Sequence, residues 1–276
     1  MRFTKMHGLG NDFLVVDDRE PHPVDWPELA PRACARHTGV GADGILLIQR
    51  SELADLRLRV VNADGSEPEM CGNGVRCAAL LAAETGIAGE VVRWETPAGV
   101  VTTELLGAGA VRVDMGRPRL LPAEVPFDHH GEHALDVPVE VDGEVVRVSA
   151  VGMGNPHCVV LVDDLETYPV ARMGAALQAH ARFPHSANVE FVQLLTRTRV
   201  RQRTVERGVG ETDACGTGAC ATAVALAALG LADHPLEVEL RGGVLSIAWE
   251  PGGPVLMTGP AATVFRGELA EGASAR

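Results

Sequence analysis

CGNGVRCAALLAAETG, residues 71–86, recurs in altered form as CGTGACATAVALAALG, residues 215–230. In both stretches a cysteine precedes a glycine-rich turn, a long run of small apolar residues follows, and a glycine ends the run. The apolar run covers nearly every face of a helix, which is typical of a helix buried in a core. The sequence therefore predicts two buried helices that start beside Cys71 and Cys215.

The repeat extends well beyond these helices. From 71 to 215 is a separation of 144 positions, and the same offset aligns residues 57–86 with 201–230 without a gap. Ten positions are identical there, where composition alone predicts about 2–3; in the first copy they are Arg57, Arg59, Val61, Glu67, Cys71, Gly72, Gly74, Ala79, Ala83 and Gly86. A period of this length is the size of a domain, so the chain is predicted to contain two homologous halves.

Each half is predicted to fold as an α+β domain in which a mostly antiparallel, curved sheet surrounds its central helix. Residues 1–18 are interpreted as a loop followed by a strand at 13–16, residues 27–37 as a short helix, and residues 117–135 as the link between the halves. We assign residues 1–117 plus 263–276 to the N-terminal half, because the apolar start of the C-terminal tail is expected to return to it. Residues 118–262 form the C-terminal half.

Composition restricts the classes of function. A formal charge of −13 disfavours nucleic acid and anionic membrane surfaces as partners. No targeting segment or membrane-spanning run is recognised, and six cysteines without a secretory signal favour reduced thiols and a cytoplasmic location. Lys5 is the single lysine and lies at the N-terminus, so a Walker A loop is excluded and a pyridoxal-phosphate enzyme is disfavoured.

Two other patterns are weaker than they look. Residues 39–44, GVGADG, match the dinucleotide pattern, but a predicted helix precedes them and a strand follows, the reverse of the required order. Cys71 with Cys77, and Cys215 with Cys220, resemble a four-thiolate zinc site, but their spacings are loose and unequal. His129, His130 and His133 are interpreted as part of a solvated loop, and no metal site is predicted.

The helix-start thiols are the stronger signal. Unpaired backbone N–H groups and the positive end of the helix dipole stabilise a thiolate, so a lowered thiol pKa is expected. The same N–H groups can hold a carboxylate, and the glycines allow a ligand to approach the backbone closely. Two such thiols suit an enzyme that inverts a stereocentre, because one can remove a proton from one face of the carbon while the other adds a proton to the opposite face. The alternative is that both cysteines merely cap buried helices.

Several long motifs resemble those of the diaminopimelate epimerase family across nearly the whole chain. They are MHGLGNDF (6–13), NADGSE (62–67), CGNG (71–74), MGNPHC (153–158), ERGVGET (206–212) and CGTG (215–218). The resemblance implies two similar domains with the substrate between them. It also implies a cofactor-independent enzyme that interconverts LL- and meso-diaminopimelate for lysine and peptidoglycan synthesis.

It further implies roles for individual residues. Cys71 and Cys215 would be acid and base, and His157 and Glu206 would tune the thiol pKa values. The substrate-binding residues implied are Asn11, Asn62, Gly72, Asn73, Asn155, Asn188, Glu206, Arg207, Gly216 and Thr217. A homodimer is implied too, with Phe265 at the contact.

One position departs from the family pattern: Gly44 stands where many members carry a glutamine that touches substrate. Two alternatives stay open. A related racemase or epimerase for proline or hydroxyproline would not need Arg207, Asn62 and Asn188 for a second zwitterionic end. A metal- or redox-responsive thiol protein would use the cysteine pairs instead.

Overall fold

The computed structural model of the chain describes residues 1–269, which form two compact units. One unit contains Met1–Asp114 and the segment that starts at Thr258, and the other contains Met115–Met257. The domain limits predicted from the sequence lie a few residues away, at 117/118 and 262/263, and stay predictions. Within residues 1–269, every helix is too short or too polar to span a membrane.

The first unit is a mixed, mainly antiparallel sheet with two helices. Its elements are β1 (Arg2–Gly8), β2 (Asn11–Asp17), α1 (Trp26–Ala33), β3 (Gly44–Gln49), β4 (Leu56–Asn62), α2 (Gly72–Glu84), β5 (Val91–Thr96), β6 (Gly99–Leu105), β7 (Ala110–Asp114) and, from the end of the chain, β17 (Ala262–Glu268). The pairs β2–β3 and β4–β5 are parallel, whereas β17–β1, β1–β2, β3–β4, β5–β6 and β6–β7 are antiparallel. Strand β17 pairs with β1 in this unit, and residues 270–276 of the predicted returning segment lie outside the described residues.

Helix α2 is the centre of this unit. Residues from Asn73 through Ala82 are buried, and the helix contacts β1, β2, β3, β4, β6, β7 and β17. Helix α1 packs on the other face of the sheet, where Trp26 and Leu29 join Ile45 and Leu47 in one apolar cluster. Because both faces of β3 are covered, its residues Gly44–Ile48 are all buried.

The second unit repeats this arrangement. Its elements are β8 (Val137–Val141), β9 (Glu144–Gly152), β10 (Pro156–Leu161), α3 (Val170–Gln178), β11 (Asn188–Thr196), β12 (Arg199–Glu206), β13 (Gly210–Thr212), α4 (Gly216–Ala228), β14 (Leu236–Leu240), β15 (Gly243–Trp249) and β16 (Val255–Pro260), whose last three residues belong to the first unit. Helix α4 is buried and contacts β9, β10, β11, β14 and β15.

The element order confirms the predicted duplication. Helix α2 begins at Gly72 and α4 at Gly216, β6 begins at Gly99 and β15 at Gly243, and each pair differs by 144. The glycines that end the two central helices, Gly86 and Gly230, have φ of 70° and 71°, the left-handed conformation that ends many helices. The predicted α+β class, with two pseudo-symmetric halves, is therefore confirmed.

Three local predictions were wrong. The first residues form strand β1 rather than a loop, because the polar Lys5 is buried by an ion pair with Asp12 and a hydrogen bond to the Gly41 carbonyl. Helix α1 ends at Ala33 rather than near 37, since the chain turns back and the N–H of Val40 donates to the Ala33 carbonyl.

The third error concerns the predicted link at 117–135. It is not a solvated connector throughout, because Val125 and Phe127 enter the core of the second unit, where the Phe127 ring lies 4.8 Å from that of Phe183. The histidines of this stretch do lie at or near its surface: His130 and His133 are exposed and His129 is half-buried.

Candidate functional site

Cys71 occupies the N-cap of α2. Its backbone is extended (φ −136°, ψ 105°), and its Sγ accepts a hydrogen bond from the Gly74 N–H at 3.4 Å. The Asn11 Oδ1 lies 3.9 Å from this sulfur and accepts a bond of 3.2 Å from the Asn73 amide. Asn11, Cys71 and Asn73, all predicted from the sequence, thus form one cluster.

Charged side chains that the sequence did not single out hold this cluster in place. The Asn11 amide donates to the Asp43 carboxylate at 2.7 Å, which in turn pairs with Arg36 at 2.6 Å. Arg76 is fully buried in α2, and its guanidinium donates to the Asn73 Oδ1 at 2.8 Å and to the Gly72 carbonyl at 3.3 Å. These bonds fix the amide orientations on which binding of a ligand would depend.

Asn62 and Gly44 lie opposite each other on paired strands β4 and β3. The Asn62 amide donates to the Ser66 hydroxyl at 2.9 Å. At Gly44, an added Cβ would stand 2.7 Å from the Val61 carbonyl oxygen, closer than side-chain carbons normally approach. The local backbone therefore excludes the glutamine that the family resemblance led us to expect at this position, unless the strands move apart.

Cys215 repeats the geometry of Cys71 at the N-cap of α4. The Gly218 N–H donates to its Sγ at 3.4 Å, and the Thr217 hydroxyl lies 3.6 Å from the sulfur. Gly216 is buried at the first turn of the helix.

The electrostatic environment of Cys215 differs from the expectation. Burial raises the pKa of the Cys215 thiol well above its ordinary value, and the nearby carboxylates of Glu206 and Glu190 raise it further. Hydrogen bonds from Thr217 and Gly218 lower this pKa but are outweighed. The predicted lowering of the pKa by the helix N-terminus is therefore wrong for Cys215, because desolvation and two acidic groups oppose the helix.

A buried row of side chains lies beside Cys215. The His157 Nδ1 lies 2.9 Å from Glu190 Oε1, and its Nε2 lies 2.9 Å from Asn155 Oδ1. His157 and Glu190 have no solvent exposure. Asn155 and His157 were predicted, whereas Glu190 was missed. The sequence held one signal for Glu190: the offset of 144 aligns this acidic residue with the apolar Leu46 of the first half.

Glu206 and Arg207 follow at the end of β12. Burial raises the pKa of the Glu206 carboxyl, while the Thr212 hydroxyl, donating at 2.5 Å, opposes that rise. The Arg207 backbone N–H donates to the Asn188 Oδ1 at 2.9 Å, and its exposed guanidinium donates to the His185 carbonyl at 3.0 Å. Asn188 also pairs with His157 in the register of β11 and β10, so these predicted residues share one end of the sheet.

Three other cysteines, Cys34, Cys77 and Cys158, are buried away from the two N-caps. Burial raises the pKa of Cys34 to about 11 and that of Cys77 to about 12, and it raises the pKa of Cys158 well above its ordinary value. Because they are buried and lie at neither N-cap, we assign these three residues to packing. Phe265 lies elsewhere, on β17, where it is 45% exposed and packs edge-to-face against Phe3.

Comparison with known proteins gives consistent matches. The profile of the diaminopimelate epimerase family matches residues 3–121 and 149–264. The diaminopimelate epimerase of Moorella thermoacetica is 50% identical over 276 residues, covering 98% of this chain and 99% of the relative. That of Stutzerimonas stutzeri is 48% identical over 273 residues, with 98% and 99% covered.

Solved structures share the fold at low identity. A phenazine biosynthesis protein of the PhzF family from Bacillus anthracis superposes with a TM-score of 0.72 at 16% identity, over 98% of this chain and 99% of that one. A hydroxyproline epimerase from Agrobacterium vitis, with bound trans-4-hydroxy-L-proline, gives 0.71 at 17% identity, over 99% and 93%. At such identities the likeness concerns the fold alone.

Proposed function

The chain belongs to the diaminopimelate epimerase family, and we propose that it is an isomerase that interconverts LL- and meso-diaminopimelate by passing protons between the substrate and two thiols. The observation that carries the proposal is the duplicated N-cap. In each half a cysteine Sγ lies 3.4 Å from the N–H of the third residue after it, at the start of a buried helix. A duplicated fold thus provides two equivalent proton carriers.

In this mechanism one cysteine, as thiolate, removes the α-proton, and the other, as thiol, delivers a proton to the opposite face. The raised pKa of Cys215 keeps it protonated near neutral pH, so Cys215 is the proton donor in the direction that starts from a Cys71 thiolate. The roles exchange in the reverse direction. Both thiols return to their starting states after one forward and one reverse turnover.

The α-proton is a very weak acid, so the developing carbanion needs electrostatic stabilisation. In the proposed mechanism the backbone N–H groups at Gly72-Asn73 and Gly216-Thr217 bind the α-carboxylate, whose negative charge increases as the proton leaves. Asn11 and Asn155 flank the reacting end. His157 and Glu206 tune the thiol pKa values, and for Glu206 the raised pKa of Cys215 supports that role.

The distal amino-acid end requires its own recognition. Arg207 pairs with the distal carboxylate, since an exposed guanidinium matches a carboxylate with two parallel hydrogen bonds. Asn62, Asn188 and Glu206 bind the distal ammonium and orient it. The exposed Phe265 supports a homodimer contact on β17.

The test is a substrate panel in heavy water. The purified protein is incubated with LL-diaminopimelate, L-proline or trans-4-hydroxy-L-proline, and deuterium at the α-carbon is followed by NMR. We expect uptake into diaminopimelate alone, abolished by Cys71→Ala or by Cys215→Ala. Turnover of proline or hydroxyproline without turnover of diaminopimelate would assign the chain to the related racemases instead.

A further inference from the structure

Three potential metal ligands converge beside the start of α4. The imidazole of His157, the carboxylate of Glu190 and the thiol of Cys215 each offer a donor atom, and these atoms all lie within 4.8 Å of one another. They come from β10, β11 and the N-cap of α4, and all three residues are buried. We refer to them as the HEC cluster.

One donor of this cluster has no other use. Glu190 Oε2 is buried and makes no hydrogen bond within the described residues, although Oε1 contacts His157. A buried polar oxygen without a hydrogen bond is destabilising, and more so if it carries charge. The absence of a side chain at Gly218 allows the Glu190 carboxylate to approach the start of α4, because a Cβ at this position would lie 2.6 Å from Glu190 Oε1. The oxygen is thus held in a position where a cation would satisfy it.

The donor set selects the kind of cation. Nitrogen, oxygen and sulfur together suit Zn²⁺, whereas Mg²⁺ and Ca²⁺ prefer oxygen alone. Zinc bonds of about 2.0–2.3 Å in a tetrahedron place ligand atoms about 3.3–3.8 Å apart. Donor atoms that all lie within 4.8 Å of one another are close to that spacing.

The surroundings also orient the imidazole. Because His157 Nε2 lies 2.9 Å from Asn155 Oδ1, it is Nδ1 that faces Glu190. Such an outer hydrogen bond fixes the ring of most metal-binding histidines. The equivalent position in the first unit cannot form this cluster, since the residues that correspond to His157 and Glu190 are Phe13 and Leu46. Only the thiol of the cluster is repeated there, as Cys71.

We propose that the HEC cluster binds one Zn²⁺ per chain through His157, Glu190 and Cys215. Zinc binds the Cys215 sulfur in its thiolate form, so bound zinc reversibly inhibits any reaction that needs the free thiol. This inhibition is the one consequence that rests on the proposed function. The site differs from the cysteine-pair zinc site considered from the sequence, because neither Cys77 nor Cys220 takes part.

The test measures binding directly. Reduced, chelator-treated protein is titrated with ZnCl₂ and bound zinc is counted by equilibrium dialysis, with CoCl₂ as a spectroscopic probe of thiolate ligation. We expect one ion per chain and a thiolate-to-cobalt band. Cys215→Ser, which keeps an N-cap acceptor, and Glu190→Gln should each weaken binding at least about tenfold, while Cys71→Ser should bind like the unmodified chain.

Equal binding by the Cys215→Ser and Cys71→Ser variants, or no stoichiometric zinc at all, would overturn the proposal. The inhibition is tested separately: zinc should stop turnover of diaminopimelate, and a chelator should restore it. A protein that binds zinc at this cluster but does not turn over diaminopimelate would contradict the proposed function and leave the metal site standing. An active enzyme without zinc binding would do the reverse.

Discussion

The proposed catalytic role of the two cysteines can be separated from their role as helix caps by comparing serine and alanine at each position. Serine is a good N-cap acceptor, and replacing such a cap by alanine costs about 1 kcal/mol. The present caps are sulfur acceptors at 3.4 Å, so Cys71→Ala should lower the free energy of unfolding by no more than about 1 kcal/mol. That corresponds to about 2–4 °C in Tm for a domain of 150–250 residues.

Cys71→Ser and Cys215→Ser should keep the stability of the unmodified chain within about 0.5 kcal/mol, because the hydroxyl still accepts from Gly74 or Gly218. All four variants should nevertheless lose epimerisation, since a hydroxyl does not ionise in the range where a thiol does. Urea unfolding and a coupled epimerase assay are measured on the same preparations. If the serine variants keep substantial activity, or if activity falls only in proportion to stability, the cysteines are structural caps and the reasoning is refuted.

Three further predictions concern other positions. Gly44→Ala should lower the free energy of unfolding by about 1–3 kcal/mol because its Cβ meets the backbone, whereas Gly89→Ala, with open space around it, should change it by no more than about 0.5 kcal/mol in urea unfolding. Glu206→Gln removes a carboxylate that raises the pKa of Cys215, so Cys215 should react with iodoacetamide at lower pH in this variant. The pH profile of alkylation is measured by peptide mass spectrometry, and an unchanged profile would count against this coupling. Arg207→Met should raise KM for diaminopimelate about 10- to 100-fold in steady-state kinetics, without loss of stability, because this side chain is exposed; an unchanged KM would remove Arg207 from the distal site.

The duplication was predictable because matching residues recur in the sequence at a constant spacing. A gap-free offset of 144 predicts both central helices, both glycine ends and both N-caps from the sequence alone. An apolar run likewise predicted the strand at residues 13–16, which lies within β2. These features depend on residues that are neighbours along the chain.

The errors arose where distant residues decide the structure. Strand β1 looked too polar to be buried, but Lys5 pairs with Asp12 and donates a hydrogen bond to the carbonyl of Gly41, 36 positions along the chain. The stretch at 117–135 looked like a linker because its composition is polar, yet single apolar residues such as Phe127 anchor it to a core built from later strands.

The acidity of Cys215 shows the same limit. The helix N-terminus can be recognised from neighbouring residues in the sequence, and it predicts a lowered pKa for the Cys215 thiol. The carboxylates of Glu190 and Glu206, which help to raise this pKa, come close to the thiol only through tertiary packing. Glu190 could not be assigned from alternation either, because the first five residues of β11 are all buried and either face was possible.

The central claim is that two different thiols exchange protons with the two faces of one carbon. It is tested most directly by placing LL-diaminopimelate in heavy water and locating deuterium during the first turnovers by mass spectrometry. If two thiols act, the meso product should carry one deuterium from solvent from the first turnovers onward, while the recovered LL substrate should still carry protium at its α-carbon. Product that retains its original α-proton, or substrate that gains deuterium as fast as product, would contradict the account, because a single group would then serve both faces.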